Sequence, residues 1–222
     1  MTIIREKFDK KKLNELPRAI FQGRIVTIFT EAEAEKAVEF LIGQPILGID
    51  TETRPSFRRG HTYQVALLQV ATPDICFLFR LNRIGMTDAV KQLLEDCSTL
   101  KVGLSLNDDM RALNARGQFT PGLFADIQQE VKEIGIADMS LQKIYANLFK
   151  QKIAKTQQLS NWEADILSDA QKLYAATDAW ACIMIHQELK RLKKTGDYTL
   201  VREESHAEDL PTTISMRDNA NP

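Results

Sequence analysis

The stretch Pro-Ile-Leu-Gly-Ile-Asp-Thr-Glu, residues 45–52, is a short apolar run that ends in acidic residues. A run of this length predicts a buried strand whose end reaches a surface cleft. Because side chains alternate between the two faces of a strand, Asp50 and Glu52 are expected to point the same way. The stretch therefore predicts a sheet protein with two neighbouring carboxylates at the end of one strand.

A second informative stretch is Tyr-Ala-Ala-Thr-Asp, residues 174–178. Residues 169–194 contain no proline, have roughly helical spacing of apolar positions and are followed by Gly196, so they predict one long helix. Tyr174 and Asp178 then lie one turn apart on the same face. Carboxylates from the two stretches suit Mg²⁺ or Mn²⁺, and the absence of histidine from both argues against zinc.

The order of predicted elements indicates an α/β fold with a mixed five-stranded sheet flanked by helices. Strands are predicted at residues 24–30, 46–52, 65–71, 75–81 and 101–106, and helices at 31–41, 87–96, 108–116 and 169–194. Pro73 and Asp74 predict a tight turn between the third and fourth strands. These two strands are therefore expected to pair antiparallel.

The composition predicts one catalytic domain. The chain has 222 residues, of which 44% are hydrophobic, enough for one full core. We expect an N-terminal leader at residues 1–23, the domain at 24–196 and a flexible polar tail at 197–222. Since the chain has 29 basic and 30 acidic residues, its net charge does not attract nucleic acid, and any nucleic acid must be bound by local basic patches.

The location expected from the sequence is cytoplasmic. No stretch has the length and apolarity of a secretion signal or of a membrane span, so no membrane partner is expected. Cys76, Cys97 and Cys182 are odd in number, far apart and set in apolar surroundings, which is typical of reduced, buried thiols. The oligomeric state is left open.

Three motifs resemble those of a known enzyme family. Residues 48–52 (Gly-Ile-Asp-Thr-Glu), 102–109 (Val-Gly-Leu-Ser-Leu-Asn-Asp-Asp) and 174–180 (Tyr-Ala-Ala-Thr-Asp-Ala-Trp) resemble the exonuclease motifs of the DEDDy 3′-5′ exonucleases, which include ribonuclease D and the Werner exonuclease domain. The resemblance covers residues 24–194. It implies an RNase H-like fold, two divalent ions, Mg²⁺ or Mn²⁺, and stepwise release of nucleoside 5′-monophosphates from a 3′ end. Leu173 stands where the histidine variant of the family would carry its histidine, which selects the tyrosine class.

The resemblance also implies roles for the site residues. Asp50 would bridge both ions, Glu52 and Asp178 would hold the ion that activates the attacking water, and Asp109 would act through the water shell of the second ion. Tyr174 would orient the attacking water.

One assignment has two alternatives, because Asp108 and Asp109 are adjacent and only one can face the ions. Asp109 is favoured: it stands six residues after Gly103 and four before Leu113, the spacing of the family. Asp108 would then be the N-cap of the following helix.

The expected partner is a nucleic acid with a free 3′ end, single-stranded at that end. Arg58 lies in a turn-rich loop after the first motif, Lys155 lies in a loop before the third, and Asn107 precedes a helix; each is a candidate substrate contact. Trp162 is a further candidate, by stacking on a base, although core packing is the alternative. No residue distinguishes DNA from RNA.

A second hypothesis for the function is a non-catalytic nucleic-acid-binding or adaptor module that retains the exonuclease fold. Such a module is expected to have lost carboxylates and to carry a stronger basic face. The complete acidic set favours the enzyme.

Overall fold

The structure, a computed structural model of the chain, describes residues 1–202. The rest of the predicted tail, residues 203–222, lies outside the described residues. The strands are β1 (Thr2–Arg5), β2 (Arg24–Ile28), β3 (Ile46–Thr53), β4 (Val65–Ala71), β5 (Ile75–Phe79), β6 (Leu100–Gly103), β7 (Phe124–Asp126) and β8 (Tyr198–Val201). The helices are α1 (Glu31–Leu41), α2 (Leu81–Ile84), α3 (Asp88–Glu95), α4 (Leu106–Arg116), α5 (Ile127–Glu133), α6 (Leu141–Phe149) and α7 (Asp169–Thr195), with a 3-10 helix at Lys10–Glu15.

The main sheet is mixed, as predicted, but has six strands in the order β2-β5-β4-β3-β6-β7. The pairs β3/β4 and β4/β5 are antiparallel, which confirms the predicted hairpin, and the other three pairs are parallel. The strand missing from the five-stranded prediction is β7. With three residues it is too short for the alternating pattern that identifies strands in a sequence.

Two hydrophobic cores cover the two faces of this sheet. One contains buried residues of α5, α6 and α7, and the other contains those of α1, α3 and α4. Burial of apolar side chains on both faces is the main favourable term for such a layered fold.

The long helix α7 lies against β3, and one glycine allows the close approach. A side-chain carbon at Gly48 would lie 1.9 Å from the backbone oxygen of Ala179, so only glycine fits there. The helix begins with a capping box between Ser168 and Gln171 and ends at Gly196, which has a left-handed φ of 64°. These features bring the middle of α7 to the end of β3.

The two ends of the described chain pack together. β1 and β8 form a two-stranded parallel sheet, with Ile3 opposite Thr199. Residues 198–201, within the predicted flexible tail, are therefore a strand, and part of the predicted leader is its partner. Gly196 turns the chain after α7 and so directs β8 back toward β1.

Within residues 1–202, no helix is both long and apolar enough to cross a membrane. Cys76 and Cys182 are buried as expected, but Cys97 is exposed; the prediction of a buried thiol was wrong at Cys97 because the residue follows the C-terminal end of α3.

Candidate active site

Three carboxylates meet where β3 and α7 touch. Asp50 and Glu52 come from the same face of β3, and Asp178 comes from the middle of α7. One oxygen from each lies within 4.8 Å of the others. The alternation of β3 and the close approach at Gly48 together produce this cluster, which we call the acid cluster.

Burial and mutual repulsion make the acid cluster difficult to ionise. Burial, followed by the charges of Asp178 and Asp109, raises the pKa of Asp50 well above its usual value. Burial, followed by the charge of Asp50, raises the pKa of Glu52 to about 9. Burial likewise raises the pKa of Asp178, whose Oδ1 is buried without a hydrogen-bond partner in residues 1–202. The cluster therefore favours either protons or a cation.

Tyr174 lies one turn before Asp178 on the helix face that lines the same cleft. Burial, then the charges of Asp178 and Glu52, raises the pKa of its hydroxyl above the usual range. The phenol therefore stays protonated at neutral pH and can donate or accept a hydrogen bond.

Of the two alternatives, Asp109 and not Asp108 contacts β3 beside the acid cluster. The hydroxyl of Thr51, between Asp50 and Glu52 on β3, donates to Oδ1 of Asp109. Burial raises the pKa of Asp109 to about 6, against the lowering effect of the Thr51 hydrogen bond. Asp108 is exposed and pairs with Arg111 at 2.6 Å. Asp109 lies outside the group of three carboxylates whose oxygens are mutually within reach of one ion.

The predicted N-cap role of Asp108 was wrong, because α4 begins earlier, at Leu106. Its first backbone amides are capped from another element: the carboxylate of Asp126 accepts from the amides of Ser105 at 3.1 Å and Leu106 at 2.9 Å. The same carboxylate accepts from the amide of Gln128 at 2.8 Å and so caps α5 as well. Asp126 thereby fixes the helix that carries Asp109. Only its place before a short helix could have indicated this role.

The acid cluster lies in a cleft of about 290 Å³, the catalytic cleft. Lys155, a predicted substrate contact, lines it, and its charge lowers the pKa of Asp178 against the larger effect of burial. The cleft is also lined by residues that no sequence motif had marked as functional: Leu104, Gln142, Gln158 and Cys182.

The other predicted substrate contacts lie elsewhere. Arg58 is exposed and lines a separate cleft of about 510 Å³ beside Phe57 and Tyr63. Asn107 is exposed on the first turn of α4 and does not line the catalytic cleft.

The prediction that Trp162 stacks on a base was wrong, because its side chain is fully buried. Its ring packs 6.0 Å from the ring of Tyr174, measured between centroids. A buried ring has no free face for a base, so the predicted stacking contact does not occur in this structure. Trp162 instead packs beside the residue proposed to act in the site.

A comparison with known families identifies the domain. The family model described as 3′-5′ exonuclease matches residues 25–193. The chain belongs to the 3′-5′ exonuclease family. The match includes the elements that supply all three members of the acid cluster.

Individual relatives agree with this assignment. A 3′-5′ exonuclease of Arabidopsis thaliana is 29% identical over 207 residues, which cover 82% of this chain and 68% of that protein. The mouse bifunctional 3′-5′ exonuclease/ATP-dependent helicase WRN is 26% identical over 217 residues, but the chain covers only 15% of it. Escherichia coli RNase D, described as an exoribonuclease involved in structured RNA processing, superposes with a TM-score of 0.69 at 20% identity, covering 78% of this chain and 45% of that one.

These matches confirm the resemblance to the DEDDy exonucleases and the RNase H-like α/β fold. They also confirm, through family membership, the expectation of a hydrolase of the exonuclease class.

Proposed function

We propose that this protein is a metal-dependent 3′-5′ exonuclease that hydrolyses the terminal phosphodiester bond of a nucleic acid and releases nucleoside 5′-monophosphates. The observation that carries the proposal is the acid cluster: three carboxylates from two elements, within 4.8 Å of one another, in an open cleft of a 3′-5′ exonuclease domain.

The chemistry of the donors fits two divalent ions, Mg²⁺ or Mn²⁺. Carboxylate oxygens are the ligands that such hard cations prefer. Within residues 1–202 no lysine or arginine forms an ion pair with Asp50, Glu52, Asp109 or Asp178. Asp50, Glu52 and Asp178 would hold the ions directly, and Asp109, whose charge acts on Asp50 and Glu52, would add to the negative charge that attracts them.

Bound divalent ions would supply the positive charge that stabilises the attacking and leaving oxygens during in-line displacement. The residues of the chain supply position. The protonated phenol of Tyr174, at the edge of the acid cluster, orients the attacking water through a hydrogen bond. Lys155, exposed in the same cleft, attracts the phosphate of the terminal nucleotide.

The proposed partner is a nucleic acid with a free 3′ end, single-stranded at that end. The description of E. coli RNase D as an exoribonuclease supports RNA as one substrate, and DNA is tested beside it. A cytoplasmic location is part of the proposal, supported by the free cysteines of the described chain.

The test is a cleavage assay with 3′- and 5′-labelled DNA and RNA oligonucleotides in Mg²⁺ or Mn²⁺. We expect the 3′ label to be released first as a mononucleotide. Asp50→Ala and Asp178→Asn should each reduce the rate by at least about 100-fold, since each removes a carboxylate that would hold the cations whose charge stabilises the transition state. Lys190→Gln, far along α7, is the control. Equal rates in the wild type and both acid variants would refute the proposal, as would an uncut substrate in every condition.

A further inference from the structure

A second cleft adjoins the catalytic cleft. Its volume is about 330 Å³, and its lining comes from the 3-10 helix, from Arg18, from α6 and from residues 152–156. Four of its ten lining residues are basic and none is acidic. We call it the basic cleft, after Lys10, Arg18, Lys152 and Lys155.

The basic cleft and the catalytic cleft meet along a common edge. Gln142, Ala154 and Lys155 line both. A strand that leaves the acid cluster past Lys155 therefore enters the basic cleft.

The backbone holds two of the four basic residues of the basic cleft next to each other. Arg18 and Lys152 are paired in a parallel β-bridge. The amide of Ala19 donates to the carbonyl of Lys152, and the amide of Lys152 donates to the carbonyl of Pro17, each at 2.9 Å. The two cationic residues are thus held side by side by main-chain hydrogen bonds.

No acidic side chain balances these charges. In the part of the chain that the structure describes, Lys10, Arg18, Lys152 and Lys155 form no ion pair with a carboxylate. Neighbouring like charges repel each other, so an anion that binds between them gains from all of them at once. Lysines that are merely solvated need no concave surface. They also need no β-bridge such as the one that joins Arg18 to Lys152.

We propose that the basic cleft binds phosphate groups of the nucleic acid whose 3′ end lies at the acid cluster. The inference rests on the proposed function. Residues 10–18 lie before the matched segment 25–193, so this chain supplies the cleft partly from outside the family domain. Spaced cations that contact phosphates give affinity without reading sequence.

The test compares two double variants that remove the same charge. Lys10→Gln with Arg18→Gln alters the basic cleft. Lys190→Gln with Lys194→Gln is the control, because both residues are exposed on the last turns of α7, about 18 Å or more along the helix from Asp178. Binding of a labelled ten-nucleotide single strand is measured by fluorescence anisotropy in Mg²⁺, in an Asp178→Asn background that keeps the strand intact.

We expect the cleft variant to weaken binding about tenfold. Its plot of log affinity against log salt should be shallower by about 1.4, because each phosphate contact to a single strand contributes about 0.7. The control pair should retain the affinity and slope of the background. Equal affinity and slope in the two double variants would overturn the inference, as would an absence of strand binding by the background protein.

Cleavage with intact carboxylates identifies which phosphate is bound, using dinucleotides with a 5′-phosphate or a 5′-hydroxyl beside the ten-nucleotide strand. If the cleft binds the phosphate on the 5′ side of the last two nucleotides, KM should rise for the phosphorylated dinucleotide and for the ten-nucleotide strand, but not for the dinucleotide with a 5′-hydroxyl. If the cleft binds phosphates further along the strand, KM should rise for the ten-nucleotide strand alone. An unchanged KM for all substrates would overturn the inference. Retained binding without any cleavage by the wild type would refute the proposed function and leave the cleft as a strand-binding site.

Discussion

The acid cluster and the basic cleft lie side by side but are built from different kinds of structure. The carboxylates of the acid cluster come from a central strand and a long helix in close contact, both inside the segment that matches the family. The charges of the basic cleft come from a 3-10 helix and irregular chain, partly before that segment. The proposed catalytic residues therefore lie on the core of the domain. The residues proposed to bind phosphates lie on surface segments, which can differ between relatives.

The difference extends to stability. Placing carboxylates together in a buried position opposes folding unless protons or cations neutralise them. Three of the four basic residues of the basic cleft are exposed and Lys152 is half-buried, so their charges repel each other largely through water, where the interaction is weak. Changes to the acid cluster should therefore alter stability and activity together, and changes to the basic cleft should alter affinity alone.

Of the substitutions near the acid cluster, Gly48→Ala is expected to have the largest combined effect on stability and kcat. The added carbon would collide with the carbonyl of Ala179, so α7 must move away from β3. We expect a loss of roughly 1–3 kcal/mol in the free energy of unfolding and a fall in kcat of about 100-fold, since a shift near 1 Å has that effect on a positioned site. Denaturant unfolding and cleavage rates measure the two quantities.

Gly117→Ala is the matched control, because it crowds the side chain of Met86 and no backbone of α7. It should change stability but not the kcat of the folded protein. Normal cleavage by Gly48→Ala would show that the close approach of α7 is not required.

Tyr174→Phe, beside the acid cluster, tests the positioning of the attacking water separately from stability. Loss of the hydroxyl should lower kcat by about 100-fold, while the stability changes by about 1 kcal/mol or less, because the ring stays packed near Trp162. A kcat within twofold of the wild type would remove Tyr174 from the proposed mechanism.

Thr51→Val tests the link between Asp109 and β3. Without the hydroxyl, Asp109 loses the hydrogen bond that orients it. We expect Mg²⁺ affinity and kcat to fall by about tenfold, the lower end for a residue that positions a metal ligand. Thr51→Ser retains a hydroxyl and should restore both. Equal losses in the valine and serine variants would indicate a packing role.

The contrast between the two regions also explains which features were predictable. Asp50, Glu52, Tyr174 and Asp178 lie on regular elements, where the periods of strand and helix fix which side chains share a face. The α/β class followed from the same periods, and the RNase H-like fold from the family resemblance. Sequence periods do not fix long-range contacts, so they could not reveal Asp126 capping α4 or the strand β7.

Trp162 and Lys10 illustrate the same limit for single residues. A tryptophan before a helix suits both a core and a base, and only tertiary packing decides that Trp162 is buried. Lys10 belongs to a lysine run near the chain terminus, the kind of charge run that is usually solvated. Its place in the basic cleft depends on the bridge between Arg18 and Lys152, which are far apart in the sequence.

In the proposed mechanism divalent cations neutralise the acid cluster, and the pH dependence of stability tests this. Unfolded Asp and Glu titrate near about 4, whereas the pKa of Asp109 is raised to about 6 and that of Glu52 to about 9. Between the pKa of the unfolded groups and the raised pKa values of Asp109 and Glu52, the folded protein therefore binds more protons than the unfolded chain. Without metal, stability should fall as the pH rises from about 4 to 9.

The decisive measurement is thermal unfolding from pH 5 to pH 9, in chelator and in Mg²⁺. The Tm of the wild type should fall across this range in chelator, and Mg²⁺ should raise it most at high pH, where the ionised carboxylates bind cations. Asp178→Asn should show a shallower fall and little response to Mg²⁺. A similar Mg²⁺ response in the wild type and in Asp178→Asn, or none in either, would contradict the assignment of the acid cluster as the metal site.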